Sequence, residues 1–163
     1  MRLRHYQLFH VRPRFLLVKI TTDTGLTGWG EATLEGNSPA VAAAVDQLMS
    51  MIAGEDPRRI EHLWQRMYRG NFYRGGPVLC SAISGIEQAL WDLLGKSLDV
   101  PVHVLLGGAV RDRIRMYGQI HGSTPEQVLE QFRTQRAAGL TAFKLPIPGP
   151  VRIIDSPQTV ERV

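Results

Sequence analysis

The side chains best suited to hold an anion stand on turn-rich stretches. Arg14 follows Val11-Arg12-Pro13 and precedes Phe15, and Tyr73-Arg74 lie in the glycine-rich segment Arg69 to Gly76. A guanidinium is a planar fork of N–H donors that matches a carboxylate, and a phenol adds a neutral hydrogen bond for a hydroxyl. By residue type alone the two arginines are equally well solvated loop charges, and both readings stand. Lys144 closes the segment Thr141 to Leu145, where it is either a base or an exposed charge. His121 faces the same pair of readings. The five histidines show no i, i+4 pair or other metal spacing, so no metal ligand is assigned. The single cysteine, Cys80, has no partner thiol, and its neighbours Leu79 and Ala82 predict that it is buried and inert. Glu87 and Asp92 fall on a helical segment, where ion pairing or solvation is expected.

The elements that position these residues centre on one helix. It starts at Pro77, whose fixed φ and missing N–H suit a first turn. Leu79, Ile83, Ile86, Leu90, Leu93 and Leu94 then recur at spacings of three and four, an apolar stripe with Ala82, Gly85 and Ala89 beside it. A mid-helix glycine costs roughly 1 kcal/mol against alanine, so Gly85 predicts the close approach of another backbone. Upstream, residues 2–9, 14–22 and 26–31 alternate as strands, with a turn at Thr22-Asp23-Thr24-Gly25. They predict a three-stranded antiparallel meander. Asn37-Ser38-Pro39 opens a helix with Val41, Val45, Leu48 and Ile52 inward, and Asp56-Pro57 is expected to cap the next in the same way. That helix carries Ile60, Leu63, Trp64, Met67 and Tyr68 on one face.

Residues 1–108 are therefore an α+β domain of order βββααα, with helices against one sheet face. After Gly107-Gly108 the pattern changes. Residues 113–120 and 141–145 are predicted strands, and between them lies a helix opened by Ser123-Thr124-Pro125-Glu126 as a capping box and closed by Gly139. Strand, helix and strand with short connections form a right-handed βαβ unit and imply a parallel pair. Ser156-Pro157 is expected to open a further helix, so residues 109–163 are the incomplete start of a second domain.

Composition narrows the function classes. The net charge is +4, but the bases are dispersed, with Lys only at 19, 96 and 144, and no basic run carries interleaved aromatics. Nucleic-acid binding is set aside. No apolar run reaches the length of a membrane span, and MRLRHYQLFH lacks the apolar core of a secretory leader. A soluble, cytoplasmic protein without membrane partners is the expectation.

Four stretches resemble the start of an enolase-superfamily enzyme of the mandelate racemase and muconate lactonizing group. They are Thr22-Asp23-x-Gly25 through Gly28-Trp29-Gly30-Glu31, Tyr73-Arg74-Gly75-Gly76-Pro77, Ser84-Gly85-Ile86-Glu87-Gln88-Ala89-Leu90-Trp91-Asp92, and Pro101 with Leu105-Leu106-Gly107-Gly108. Phe72 to Pro77 and Phe143-Lys144-Leu145 resemble the galactonate dehydratases within it. The resemblance implies an N-terminal capping domain over residues 1–108, then the truncated start of a (β/α) TIM-type barrel over residues 109–163. It implies a sugar-acid substrate, magnesium as cofactor of the full-length enzymes, and self-association through the cap. Two cap loops, Val11 to Phe15 and Arg69 to Pro77, would close over the barrel mouth, which makes Arg14, Phe15, Tyr73 and Arg74 substrate-loop candidates. Lys144 would be the catalytic candidate at the end of the second barrel strand. The racemases carry Lys-x-Lys there; Pro146 replaces the second lysine, which favours a histidine-based dehydratase. A barrel takes about 250 residues, so the metal carboxylates and catalytic histidines would fall beyond Val163. The chain is expected to bind no metal and to be inactive alone. A stand-alone cap module, or part of a racemase or cycloisomerase, is the alternative.

Overall fold

The computed structural model describes residues 1–145, and the chain divides into two compact units, Met1–Ala109 and a second that begins at Val110. The expected helix at Ser156-Pro157 and the prolines at 146, 148 and 150 lie outside the described residues. In the first unit β1 (Leu3–Val11), β2 (Phe15–Thr22) and β3 (Thr27–Glu31) pair antiparallel in the order β1-β2-β3, the expected meander. Alternation along β2 buries Leu16, Val18, Ile20 and Thr22 and turns Leu17 and Lys19 to the other face. The register carries the inner face across the sheet by setting Tyr6 opposite Ile20 and Leu8 opposite Val18.

Helices cover that inner face. α1 (Ser38–Ile52) buries Val41, Val45, Leu48 and Ile52. α2 (Ile60–Arg69) buries Ile60, Leu63 and Met67, and stacks Trp64 on Tyr68 with ring centroids 4.9 Å apart. Its start corrects the sequence reading: Asp56 does not cap it. The Asp56 carboxylate accepts from the Arg58 N–H at 3.0 Å, and its carbonyl from the Arg59 N–H at 3.1 Å. Those bonds close a separate turn, so the helix begins only at Ile60. Asn37 precedes α1 as expected, yet its side chain makes no bond to the helix and donates instead to the Glu35 carbonyl at 3.5 Å. A four-residue helix, α4 (Val102–Leu105), follows Pro101 and was not anticipated.

α3 (Pro77–Leu98) is the centre, and what it meets is backbone. A Cβ added at Gly85 would lie 2.6 Å from Ala32 Cβ and 2.9 Å from Ala32 N. A Cβ at Gly30 would strike the Gly85 carbonyl, and one at Gly28 the Ala89 carbonyl. Gly28, Gly30 and Ala32 thus form a smooth strip along β3 that lies directly on Gly85 and Ala89. The helix also closes the free edge of β3 with side chains. Lys96 Nζ donates to the Thr27 carbonyl at 2.9 Å, the Trp29 N–H donates to Asp92 Oδ2 at 2.9 Å, and the Glu31 N–H donates to Gln88 Oε1 at 3.0 Å. Four helical residues rise about 6 Å and two strand residues about 6.8 Å. A 88/92/96 row therefore keeps step with 31, 29 and 27 on the antiparallel strand, in place of a fourth strand.

In the second unit β4 (Gly118–Gln119), α5 (Pro125–Ala137) and β5 (Phe143–Lys144) form a βαβ unit with parallel pairing. The strands are shorter than the expected 113–120 and 141–145. Ladder bonds run from Gly118 N–H to the Ala142 carbonyl and from Ile120 N–H to the Lys144 carbonyl, while the Arg115 guanidinium takes the Thr141 carbonyl at 3.1 Å. The cap of α5 lies one residue later than predicted. Thr124 accepts from the Gln127 N–H at 3.4 Å and Gln127 Oε1 accepts from the Ser123 N–H at 2.9 Å, so Gln127 fills the role expected of Glu126. Among the described residues no helix is long and apolar enough to cross a membrane.

Helix propensity alone would make Gly85→Ala stabilising. The contact with Ala32 reverses the sign: the variant is expected to lose about 1 to 3 kcal/mol in urea unfolding, and a gain would show that the two backbones are free to separate.

Candidate functional site

Both candidate loops are built by the turns that end strands and helices. The first joins β1 to β2 through a cis Arg12–Pro13 peptide. Its Arg14 reaches Glu35 Oε1 at 3.0 Å, and the guanidinium carbon stands 5.7 Å from the centre of the Phe15 ring. Both partners of the ion pair are largely exposed, so the pair is weakly held. His10, Arg12, Arg14, Phe15 and Ser38 share an open cleft of about 280 Å³ there.

The second loop leaves α2 at Gly70 and enters α3 at Pro77. Phe72 and Tyr73 are 91% and 84% exposed and meet edge to face at 5.2 Å, so neither is held by the core. Gly75 and Gly76 have φ of +78° and +82°, a conformation that turns the chain sharply into the helix. Arg74 is exposed, and among the described residues it enters no ion pair. Gln47 Nε2 donates to Asn71 Oδ1 at 3.2 Å and ties the start of the loop to α1. No hydrogen bond or ion pair among the described residues joins Arg14 or Phe15 to Tyr73 or Arg74.

Beside Pro77 lies a polar groove that the sequence reading missed. Glu31, Thr33, Cys80, Ser81, Ser84 and Gln88 line about 450 Å³. Cys80 is exposed, not buried as its neighbours implied. The signal was present in the spacing: Cys80, Ser84 and Gln88 follow each other at i, i+4, i+8, a polar row turned away from Ile83, Ile86 and Leu90. Asp92 continues that row, pairing with Lys96 at 2.6 Å, and Glu87 accepts from Trp91 Nε1 at 3.4 Å. Both are structural, as expected of them.

In the second unit the parallel register sets Gln119 beside Lys144, which puts His121 and Lys144 at the same, C-terminal end of the two strands. Both are exposed. The His121 N–H donates to Gln131 Oε1 at 2.9 Å, and Phe143, next to Lys144, packs on Phe132 at 4.8 Å. Among the described residues no group of three or more His, Cys, Asp or Glu side chains is placed to hold a metal ion.

Residues 10–107 match the family model of the mandelate racemase / muconate lactonizing enzyme N-terminal domain. The chain belongs to that family. Its sheet and helices are the family's capping domain. The D-galactonate dehydratase of Xanthomonas oryzae pv. oryzae (strain PXO99A) is 47% identical over 161 residues, which are 99% of this chain and 42% of that protein. The D-galactonate dehydratase of Ralstonia nicotianae is 48% identical over the same coverage. The chain thus spans 42% of the length of these curated relatives. Among solved structures, a mandelate racemase/muconate lactonizing enzyme from Jannaschia sp. CCS1 superposes with a TM-score of 0.84 at 35% identity, covering 94% of this chain and 45% of that one. An enolase from Pantoea ananatis with bound D-gluconate and Mg gives 0.81 at 34% identity, covering 88% and 36%.

Away from the loops, Asp56 is perturbed by its hydrogen-bond partner and Tyr6 by burial and its own partner. Asp56 lies well below the usual carboxylate range, first because the Arg58 side chain donates to it and then because the Arg58 backbone does. Tyr6 is pushed up to about 12, first by burial and then by its bond to Asp46, whose Oδ1 accepts from the phenol at 2.8 Å.

The raised Tyr6 value means that the folded state holds this proton more tightly than the unfolded chain. Its contribution is complete below about pH 10 and is lost as pH rises toward about 12. Tyr6→Phe is expected to flatten that alkaline fall in the urea midpoint, and an unchanged profile would assign the fall to other groups. Exposed Cys80 is expected to react with a maleimide in the folded protein at a rate within about tenfold of the urea-unfolded rate. Strong native protection would return it to the core.

Proposed function

We propose that this chain is the capping part of an acid-sugar dehydratase of the galactonate type and that its two loops bind the sugar acid. The observation that carries the reading is 47% identity to a D-galactonate dehydratase over 161 residues, a span that takes in both loops. Dehydration removes the proton next to a carboxylate and the hydroxyl on the following carbon, and the resulting enol becomes a ketone. In this reading Arg14 and Arg74 receive the carboxylate, Tyr73 hydrogen-bonds a hydroxyl, and Phe15 supports the Arg14 guanidinium from below. Arg14 exchanges Glu35 for the substrate as it does so.

Lys144 is the candidate for proton transfer, supported by its place at the C-terminal end of a parallel strand, where barrel enzymes gather their chemistry. Magnesium is the cofactor implied by the family and is bound in the Pantoea ananatis structure. The described residues do not fit it, since no three donor side chains converge among them. No step is therefore assigned through a metal on residues 1–145, and the chain by itself is proposed to be inactive.

The test is a chimera in which residues 1–163 replace the matching segment of the Xanthomonas oryzae enzyme. It is expected to dehydrate D-galactonate, and Arg74→Ala within it to raise KM by about tenfold or more with a smaller change in kcat. A folded chimera that ignores D-galactonate and turns over another sugar acid would overturn the substrate reading.

A further inference from the structure

The second loop carries Tyr73 and Arg74 on the stretch of chain least able to hold a direction by itself. Arg74 is followed by Gly75 and Gly76, both at positive φ, and a glycine pair has more backbone freedom than other residues. A Cβ added at Gly76 would meet nothing within 4 Å. At Gly75 one heavy atom outside the adjoining residues comes that close, the hydroxyl oxygen of Tyr68 at 3.7 Å. Gly75 is half-buried there, while Arg74 and Gly76 on either side are exposed.

That hydroxyl is delivered by a rigid support. Tyr68 stands one helical turn after Trp64 on α2, and the two rings stack at 18° with centroids 4.9 Å apart. Both pack against the core. With the ring held in this way the side-chain torsions of Tyr68 are fixed, and its oxygen marks a constant point at the end of α2. The entry of the loop is tied separately, by Gln47 Nε2 on Asn71 Oδ1 at 3.2 Å. Between the two supports run Phe72, Tyr73 and Arg74, all exposed. A span this short, held at both ends, has few ways to lie. The second support matters most for Arg74, because it acts on the very next residue.

We propose that Tyr68 is a positioning residue for sugar-acid binding: from the Trp64 stack its hydroxyl props the Gly75 backbone and so fixes the direction in which Arg74 leaves the chain. This rests on the reading of Arg69 to Pro77 as a substrate loop, and it adds to that reading a residue of the preceding helix. A guanidinium that meets a carboxylate as a planar fork is sensitive to direction. Ordering it before the ligand arrives removes part of the cost of binding. Loss of the prop therefore falls on KM and little on kcat.

Two readouts test it on Tyr68→Phe, which keeps the ring and removes the oxygen. The first needs no substrate. Trypsin is applied briefly to the 163-residue chain, and the cut after Arg74 is measured by mass spectrometry against the cut after Arg113 in the second unit. The variant is expected to speed the Arg74 cut about threefold or more at an unchanged urea midpoint. The second is D-galactonate turnover by the chimera, where Tyr68→Phe is expected to raise KM about three- to tenfold with kcat within about twofold. Tyr68→Leu, which also loses the stack, is expected to raise KM at least as far. An Arg74 cut no faster than in the native chain would overturn the proposal; a raised KM in that case would mean that the hydroxyl meets the substrate itself. So would a urea midpoint that falls in step with the cut, which makes the role structural only. A faster cut with unchanged KM, in a chimera where Arg74→Ala still raises KM, overturns it and leaves the substrate reading standing. A chimera that ignores D-galactonate overturns the substrate reading and the sugar-acid role of Tyr68 with it, while a faster cut still places Tyr68 under the loop.

Discussion

The architecture of the cap depends on one close contact, the seating of β3 backbone on α3 backbone. Gly28, Gly30 and Ala32 on the strand meet Gly85 and Ala89 on the helix, with no room for a Cβ at any of the three glycines. An approach this near brings the strand edge within reach of the long polar side chains of the same helix. Only then do Gln88, Asp92 and Lys96 bond the Glu31, Trp29 and Thr27 main chain. Sheet edge and helix face are closed by one set of residues, while Ile83, Ile86, Leu90 and Leu93 are buried in the core, where α3 also packs on α1, α2 and β2.

That division of α3 into an apolar stripe, a small-residue strip and a polar row also shapes the candidate surfaces. The polar row begins above the ladder with Cys80 and Ser84, and there it lines the groove beside the second loop. At the middle of the loop Phe72 and Tyr73 project into solvent, and two positive-φ glycines return it to the helix. Around the first loop the guanidinium of Arg14 meets Glu35 in a weak surface pair. Rigid scaffold and loosely held candidate side chains are thus adjacent in the chain.

Much of this was legible in the sequence because it rests on periodicity and on short-range chemistry. The meander followed from alternation, the three long helices from spacings of three and four, and the closeness of another backbone from a glycine that helix propensity disfavours. The loop candidates and the family followed from motifs that lie within those elements. Several local readings failed for local reasons, among them the Asn37 cap, whose side chain turns back to the Glu35 carbonyl. Asp56 found a partner in Arg58 two residues on and closed its own turn. The α5 cap slipped by one residue because Gln127 reaches the Ser123 N–H. Cys80 was judged by its sequence neighbours, whereas on a helix the relevant neighbours are four residues away.

By itself the sequence determined which faces are apolar, where the backbone must turn or draw close, and which family the chain resembles, because each depends on side-chain type at fixed local spacing. Only the tertiary structure decided which backbone Gly85 touches, that Gln88, Asp92 and Lys96 serve as a substitute strand, and that the Tyr68 hydroxyl rests beside Gly75. Those facts depend on register between elements and on the distance between them. Both are set by the sum of packing over residues far apart in the chain, and no local pattern carries that sum.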